Sequence, residues 1–188
     1  TLEQVPAVQG AFLAIENRTG AIRALVGGFD WTLSKFNRAI QARRQTGSTF
    51  KPFVYTTALL AGATPDDVVL DEPLTLVDDL GVEYTPRNYT EDFKGSITLR
   101  QALAESINVP AVRIGLGIGI PNVIRTARKF GITSKLRPYP SIALGAFEIS
   151  LLEQVSAFST FPNDGYRMEP YFIQRIEDYH GNILEEHK

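Results

Sequence analysis

Apolar positions along the chain fall into short runs separated by turn formers, and their spacing changes from strand-like to helical and back. Gly10-Ala11-Phe12-Leu13-Ala14-Ile15-Glu16 and Ala21-Ile22-Arg23-Ala24-Leu25-Val26-Gly27-Gly28 flank Asn17-Arg18-Thr19-Gly20, which predicts a β-hairpin. Polar residues through Arg44 predict an irregular loop. After Thr46-Gly47-Ser48, the residues Phe50, Phe53, Val54, Ala58, Leu59, Leu60 and Ala61 cover most faces of a helix. Pro52 suits its first turn and Gly62 its end, so a buried helix starting at Ser48 is expected. Residues 63–97, rich in Pro, Asp and Gly, predict loops with short strands. Thr98-Leu99-Arg100-Gln101 has capping-box spacing and opens a short helix to about Glu105. Ser106-Ile107-Asn108-Val109 interrupts it, Pro110 restarts a helix, and Pro121 to Phe130 forms another, closed by Gly131. Ser150-Leu151-Leu152-Glu153 is a second capping box, opening a helix to near Phe161. Asn163-Asp164-Gly165 predicts a turn, and Tyr171 to Ile176 and Ile183-Leu184 are expected strands around His180-Gly181-Asn182. Strand, then helices, then strands is the order of an α+β or α/β fold.

Length and composition narrow the possibilities. The 188 residues, 44% apolar and 21% charged, suit one globular domain or most of one, with a core that needs no disulfide. A net charge of −2 gives no electrostatic footprint for nucleic acid, so no nucleic-acid partner is expected. With no cysteine, thiolate catalysis and Cys-ligated zinc are excluded. The two histidines, His180 and His187, stand in a polar C-terminal stretch, a poor place for a Ser-His-Asp triad or a His-rich metal site. No cofactor or metal is implied. No apolar run reaches the roughly 18 residues of a membrane span, and no signal peptide opens the chain. The start at Thr1-Leu2-Glu3-Gln4 and the stop at Glu185-Glu186-His187-Lys188 are what a piece of a longer protein would show.

The candidate chemistry lies at the start of the first expected helix. Ser48 and Lys51 stand at i and i+3, neighbours on one helix face. A lysine desolvated by Phe50, Phe53 and Val54 would lose its proton more easily and serve serine as a base where histidine is absent. Alone, the spacing arises by chance in a chain of this length, and a solvated first turn with Lys51 exposed is the better reading of it in isolation. Ser106 and Asn108, two residue types common at helix boundaries, are no more specific by themselves.

Together the segments say more. Gly47-Ser48-x-x-Lys51-Pro52-Phe53, preceded by Asn37-Arg38-Ala39 and Gln41-Ala42-Arg43-Arg44-Gln45, resembles the penicillin-binding proteins. So do Leu99 through Val112 with the Ser106-Ile107-Asn108 motif, Ser141-Ile142-Ala143-Leu144-Gly145-Ala146, and Asn163 through Pro170, in the expected order. The likeness covers essentially the whole chain and is best to the transpeptidase domain of the class A, bifunctional members. It implies a penicillin-binding transpeptidase or serine β-lactamase-like fold: a helical subdomain plus an antiparallel sheet whose C-terminal part would follow residue 188. A glycosyltransferase domain and a membrane anchor would lie upstream, with the protein on the extracytoplasmic face of the plasma membrane.

The resemblance also implies roles. Ser48 would attack the D-Ala-D-Ala carbonyl of a peptidoglycan stem peptide, with Lys51 as the base. Ser106 would relay protons to the leaving amine, and Asn108 would hold Lys51 and the substrate amide. A second stem peptide's amine would resolve the acyl-enzyme, and β-lactams would be trapped on it; cell-wall synthesis proteins are the expected partners. The family's Lys-Thr-Gly strand has no counterpart among the 188 residues. The same acylation with water as acceptor would give a D,D-carboxypeptidase or β-lactamase. The class A β-lactamase pairing of Glu with Asn four residues on is absent, since Leu152 follows Glu148 and Ala157 follows Glu153 at that spacing. A non-catalytic module retaining the fold is a third reading.

Other features have plain structural readings. Gly115-Leu116-Gly117-Ile118-Gly119 lacks dinucleotide-loop spacing and suits a close-packed helix end. Asp66-Asp67, Asp71-Glu72 and Asp78-Asp79 are expected to be solvated loop charge. Arg43-Arg44 is expected to fix a loop through carboxylates, and Trp31, Phe29 and Phe36 to be buried under the first loop.

Overall fold

The structure is a computed structural model that describes residues 4–78 and 80–187. The chain divides into two compact units, one formed by residues up to 44, 130–133 and from 149 onward, the other by 45–129 and 134–148.

In the first unit, β1 (Phe12–Ile15) and β2 (Ile22–Val26) form the expected antiparallel hairpin, Leu13 opposite Leu25, with a bulge at Ala14/Ile15. Gly20 closes its turn at φ 82°, and a Cβ there would lie 2.3 Å from the Glu169 carbonyl. Tyr171 bridges beside Ala21, its N–H donating to Gly20 O at 3.2 Å. Of the strand expected over Tyr171 to Ile176, only Arg175 and Ile176 fall in β9 (Arg175–Glu177). Ile183-Leu184 opens β10 (Ile183–Glu186) as expected, and the two strands are joined by a turn whose Asp178 carboxylate accepts the His180 and Asn182 N–H groups. The helix expected from Ser150 is α5 (Leu151–Ser159), which ends two residues before the expected Phe161 and is followed by a 3-10 turn at Phe161–Asn163.

The α5 N-terminus carries the complete capping box. Ser150 Oγ accepts from Glu153 N, and the Glu153 carboxylate accepts from Ser150 N. That carboxylate also accepts from Thr133 N and Oγ1 and pairs with Arg43 at 3.0 Å, so Arg43 fixes its loop as expected. The aromatic expectation fails. Trp31, Phe29 and Phe36 are exposed, Trp31 by 69%, because their loop closes on itself through Asp30–Thr32 and Arg38–Gly27 bonds with the rings outward. Lys35 lies 5.0 Å over the Trp31 ring, a cation–π contact in place of burial.

The second unit is built on α1 (Lys51–Leu60), preceded by a 3-10 turn at Gly47–Phe50 and not by the α-helical turn expected from Ser48. Phe50, just before α1, and Phe53, Val54 and Ala58 within it are fully or almost fully buried, as are Val109 and Val112 of α3 (Asn108–Ile118) and Val123 of α4 (Ile120–Lys129), the two helices that pack on α1. Gly115 lets α3 close on its neighbours, since a Cβ there would sit 3.3 Å from both Ala143 and Ile120. That is the close-packed helix expected of the glycine-rich stretch.

Residues 63–97 form two short antiparallel pairs, β4 (Val68–Asp71) with β7 (Gly95–Thr98) and β5 (Leu76–Val77) with β6 (Glu83–Tyr84). The short helix is α2 (Leu99–Ala104); Thr98 caps it, while the Gln101 side chain turns to Glu105 and leaves the capping box half made. Short strands β3 (Arg44–Gln45) and β8 (Glu148–Ile149) lie where the chain passes from one unit to the other.

The acidic pairs divide. Asp66 and Asp67 are surface charges, Asp67 accepting from Thr64. Asp71 is completely buried, contrary to the solvated reading, because Asn88 and the Lys94 N–H satisfy both its oxygens. Asp79 lies outside the described residues. Among the described residues, no three Asp, Glu, Cys or His side chains converge as a metal site would require.

Because Glu153 bonds the cap, Thr133 and Arg43 at once, Ser150→Ala and Glu153→Ala should differ. Loss of the cap hydroxyl is expected to cost about 1 kcal/mol, the usual N-cap value, and loss of the carboxylate more. Equal midpoints in urea denaturation of the two variants would contradict this.

Candidate active site

Ser48 belongs to the 3-10 turn, whose last bond runs from the Lys51 N–H to Ser48 O. The turn is braced from behind. Gly47 N and Thr46 Oγ1 donate to Gly145 O, each at 3.2 Å, and Thr46 N donates to Phe147 O. Gly145 adopts φ 71°, and a Cβ there would lie 2.2 Å from Gly47 O. Only glycine permits that approach. Phe147 meets Phe50 edge-on at 4.7 Å, so the turn also has an apolar backing.

Lys51, the first residue of α1, is 1% exposed. That burial rules out the solvated-turn alternative. Its Nζ donates to Ser106 O at 2.5 Å, Ser106 Oγ at 3.1 Å and Asn108 Oδ1 at 2.7 Å. All three acceptors are uncharged. Burial without a carboxylate disfavours the ammonium form and lowers the pKa to about 8.

Ser106 reaches Lys51 by a backbone device. It adopts φ 54°, a left-handed conformation rare outside glycine. Ser106 N donates to Leu103 O and Ile107 N to Ala102 O, the bond pair of a Schellman motif that ends α2 with serine at the usual glycine position. In this conformation the Ser106 carbonyl and hydroxyl both meet Lys51 Nζ.

Asn108 opens α3, two residues before the start expected from Pro110. The earlier start is possible because Asn88 Oδ1 accepts both the Asn108 and Val109 N–H groups, at 3.2 and 3.1 Å, supplying a cap from 20 residues upstream. Asn108 Nδ2 donates to Arg87 O at 2.8 Å, which turns its Oδ1 toward Lys51.

Three of the four candidate residues, Lys51, Ser106 and Asn108, therefore share one hydrogen-bonded cluster. Ser48 lies in the turn immediately before Lys51 and is exposed; among the described residues its hydroxyl makes no hydrogen bond. Asn88, Asp71 and the Arg87 carbonyl were not legible as site residues. Nothing in Arg87-Asn88-Tyr89 distinguishes it from other loop sequence, since its part depends on a long-range approach to α3. Chemically, the arrangement sets an amine with a depressed pKa three residues after an exposed hydroxyl, and among the described residues neither is bonded to a histidine or a carboxylate.

Known proteins resemble the chain over most of its length. A family model described as the penicillin binding protein transpeptidase domain matches residues 10–188. Penicillin-binding protein 1A of Pseudomonas aeruginosa is 44% identical over 183 residues, 96% of this chain and 22% of that protein. The Aquifex aeolicus penicillin-binding protein 1A is 40% identical over 98% of this chain and 25% of its own length. The chain thus spans about a quarter of these relatives. The crystal structure of penicillin-binding protein 1A from Haemophilus influenzae superposes with a TM-score of 0.92 at 35% identity, over 99% of this chain and 28% of that one. PonA1 of Mycobacterium tuberculosis in complex with penicillin V gives 0.82 at 26% identity, over 96% of this chain and 51% of that one. With the family matched over nearly its whole length and relatives above 40% identity along it, the chain belongs to the transpeptidase domain family of the penicillin-binding proteins, and its relatives are of class A.

Proposed function

We propose that this domain is a serine D,D-transpeptidase that crosslinks peptidoglycan stem peptides through an acyl-enzyme on Ser48. The observation that carries the reading is the buried Lys51 amine, held by three neutral oxygens in the turn after an unencumbered serine. Ser48 Oγ attacks the carbonyl of the D-Ala-D-Ala bond while its proton passes to neutral Lys51. As the C–N bond breaks, Ser106 Oγ hands its proton to the departing D-Ala nitrogen and takes in exchange the one that Lys51 accepted, which leaves Lys51 neutral again. The amine of a second stem peptide then attacks the Ser48 ester, forming the crosslink and returning the proton to the serine. Asn108 holds Lys51 through Oδ1 and presents its amide to the substrate backbone. The Ser48 N–H is one oxyanion donor; the second belongs to a Lys-Thr-Gly strand of the longer protein.

The relation to PonA1, whose solved complex contains penicillin V, supports β-lactams as ligands that acylate the same serine. A hydrolytic enzyme is less well supported, since Glu153 is committed to Ser150, Thr133 and Arg43 and has no Asn four residues on. In the full-length protein we place the domain outside the plasma membrane, with a glycosyltransferase domain and an anchor upstream. No helix among the described residues is long and apolar enough to cross a membrane.

A fluorescent penicillin added to the full-length protein should label Ser48, as mapped by peptide mass spectrometry. Labelling undiminished in Ser48→Ala would remove the assignment. The pH dependence has a definite sign. Lys51 acts when neutral, and burial brings its pKa down to about 8, so acylation should rise with pH through about 8 and then level off. Lys51→Arg, which stays charged, should acylate about 10²-fold more slowly or worse at pH 7. A flat profile in the wild type would move the base role elsewhere.

Ser106 separates stability from function. Ser106→Gly relieves the left-handed backbone and removes the relay hydroxyl, so the variant should be as stable as the wild type or up to about 1 kcal/mol more so, yet acylate at least about tenfold more slowly. Loss of stability without loss of rate would refute both halves of this reading.

A further inference from the structure

We infer that Asn88 is a positioning residue for the lysine centre, acting through Asn108 and the first turn of α3 and held in its working orientation by buried Asp71. The inference rests on the acyl-enzyme reading for its consequence, but its geometry is independent of it.

Asn88 is 6% exposed and uses its full hydrogen-bonding capacity. Its Nδ2 donates to Asp71 Oδ1 at 2.8 Å and to Asp92 O at 2.9 Å. Its Oδ1 accepts from Asn108 N at 3.2 Å and Val109 N at 3.1 Å. Asp71 accepts only, so it dictates which end of the Asn88 amide faces it, and the oxygen is left for α3. The Asp71 carboxylate is itself fixed, since Lys94 N donates to its second oxygen at 2.9 Å.

The next residue back completes the clamp. The Arg87 carbonyl takes the Asn108 Nδ2 hydrogen, so two consecutive residues of one loop hold Asn108 by its main chain and its side chain. The Asn108 oxygen then has one direction left, toward Lys51 Nζ at 2.7 Å. Without Asn88, two N–H groups of α3 lose their acceptor and α3 can shift or fray at the residue that bonds the amine. Ile107, the residue before α3, offers no side-chain cap in its place. The charged groups of this network are Asp71, behind Asn88, and the exposed Lys94–Glu105 ion pair; neither is bonded to Lys51.

Two variants test this in the full-length protein. Asn88→Ser is too short to reach both Asp71 and α3. The exchange Asp71→Asn with Asn88→Asp preserves the donor–acceptor contact between the two side chains and the cap on α3, and gives up the bond to Asp92 O. It also moves the negative charge onto the α3 N-terminus, toward Lys51. Asn88→Asp alone would face two carboxylates across the buried contact and serves as the destabilised control.

Three readouts are taken for each: thermal midpoint, the pH profile of penicillin acylation, and direct NMR titration of the Lys51 amine in a Ser48→Ala background. Asn88→Ser should acylate about tenfold more slowly or worse, still at Ser48. The exchange should fold with a midpoint lowered by the lost Asp92 O bond but above that of Asn88→Asp alone, and shift the Lys51 titration upward by up to about one pH unit, because a nearby negative charge favours the ammonium. A Lys51 titration and acylation profile at wild-type values in the folded exchange variant would overturn the inference, leaving Asn88 a purely structural cap; this holds even if Asn88→Ser does not fold. Should the wild type show no adduct on Ser48 while the exchange still moves the Lys51 titration, the transpeptidase reading fails and the positioning role stands.

Discussion

The second unit is organised around one awkward requirement: an amine buried in an apolar core with only neutral oxygens for partners. A carboxylate beside Lys51 would be the common solution to burying a lysine, and it would hold the proton on. Three neutral acceptors satisfy the N–H groups while leaving the charge poorly compensated. The depressed pKa is the result, and it comes from packing rather than from a nearby cation.

The acceptors are costly to present, and the fold accepts the cost in backbone conformation. Ser106 holds a left-handed conformation where glycine would be unstrained, which disfavours the folded state by about 1–2 kcal/mol. Glycine in its place would provide the carbonyl but not the hydroxyl. That trade explains why a Schellman motif, ordinarily a glycine site, ends here in serine. The bracing of the Ser48 turn uses glycine in the opposite sense: Gly145 is needed so that two main chains can approach, and no side-chain chemistry is asked of it.

Much of the fold was legible from local pattern. The hairpin, the buried α1, the helix at Ser150 and the turn at Asn163-Asp164-Gly165 depend on caps, turn residues and periodicity that lie within a few positions of one another. What failed depended on distant partners. The α3 start was misplaced by two residues because its cap is Asn88, not its own preceding residue. Asp71 looked like solvated charge because its partners, Asn88 and Lys94, are 17 and 23 residues away. Trp31 looked like core because hydrophobicity does not reveal a loop that closes on itself.

The candidate site divides along the same line. Ser48 and Lys51 are neighbours in sequence and could be paired by spacing alone, but whether Lys51 was exposed or buried could not. That question decides the chemistry, since a solvated lysine near pH 7 is almost wholly protonated and is no base. Its answer depends on residues contributed by α3 and by the loop from Ser106 to Asn108, more than 50 positions downstream. The short motifs name the candidate groups; the long-range packing lowers the Lys51 pKa. Asn88 belongs to the second category, which is why the sequence around it carries no sign of the part it plays in holding Asn108.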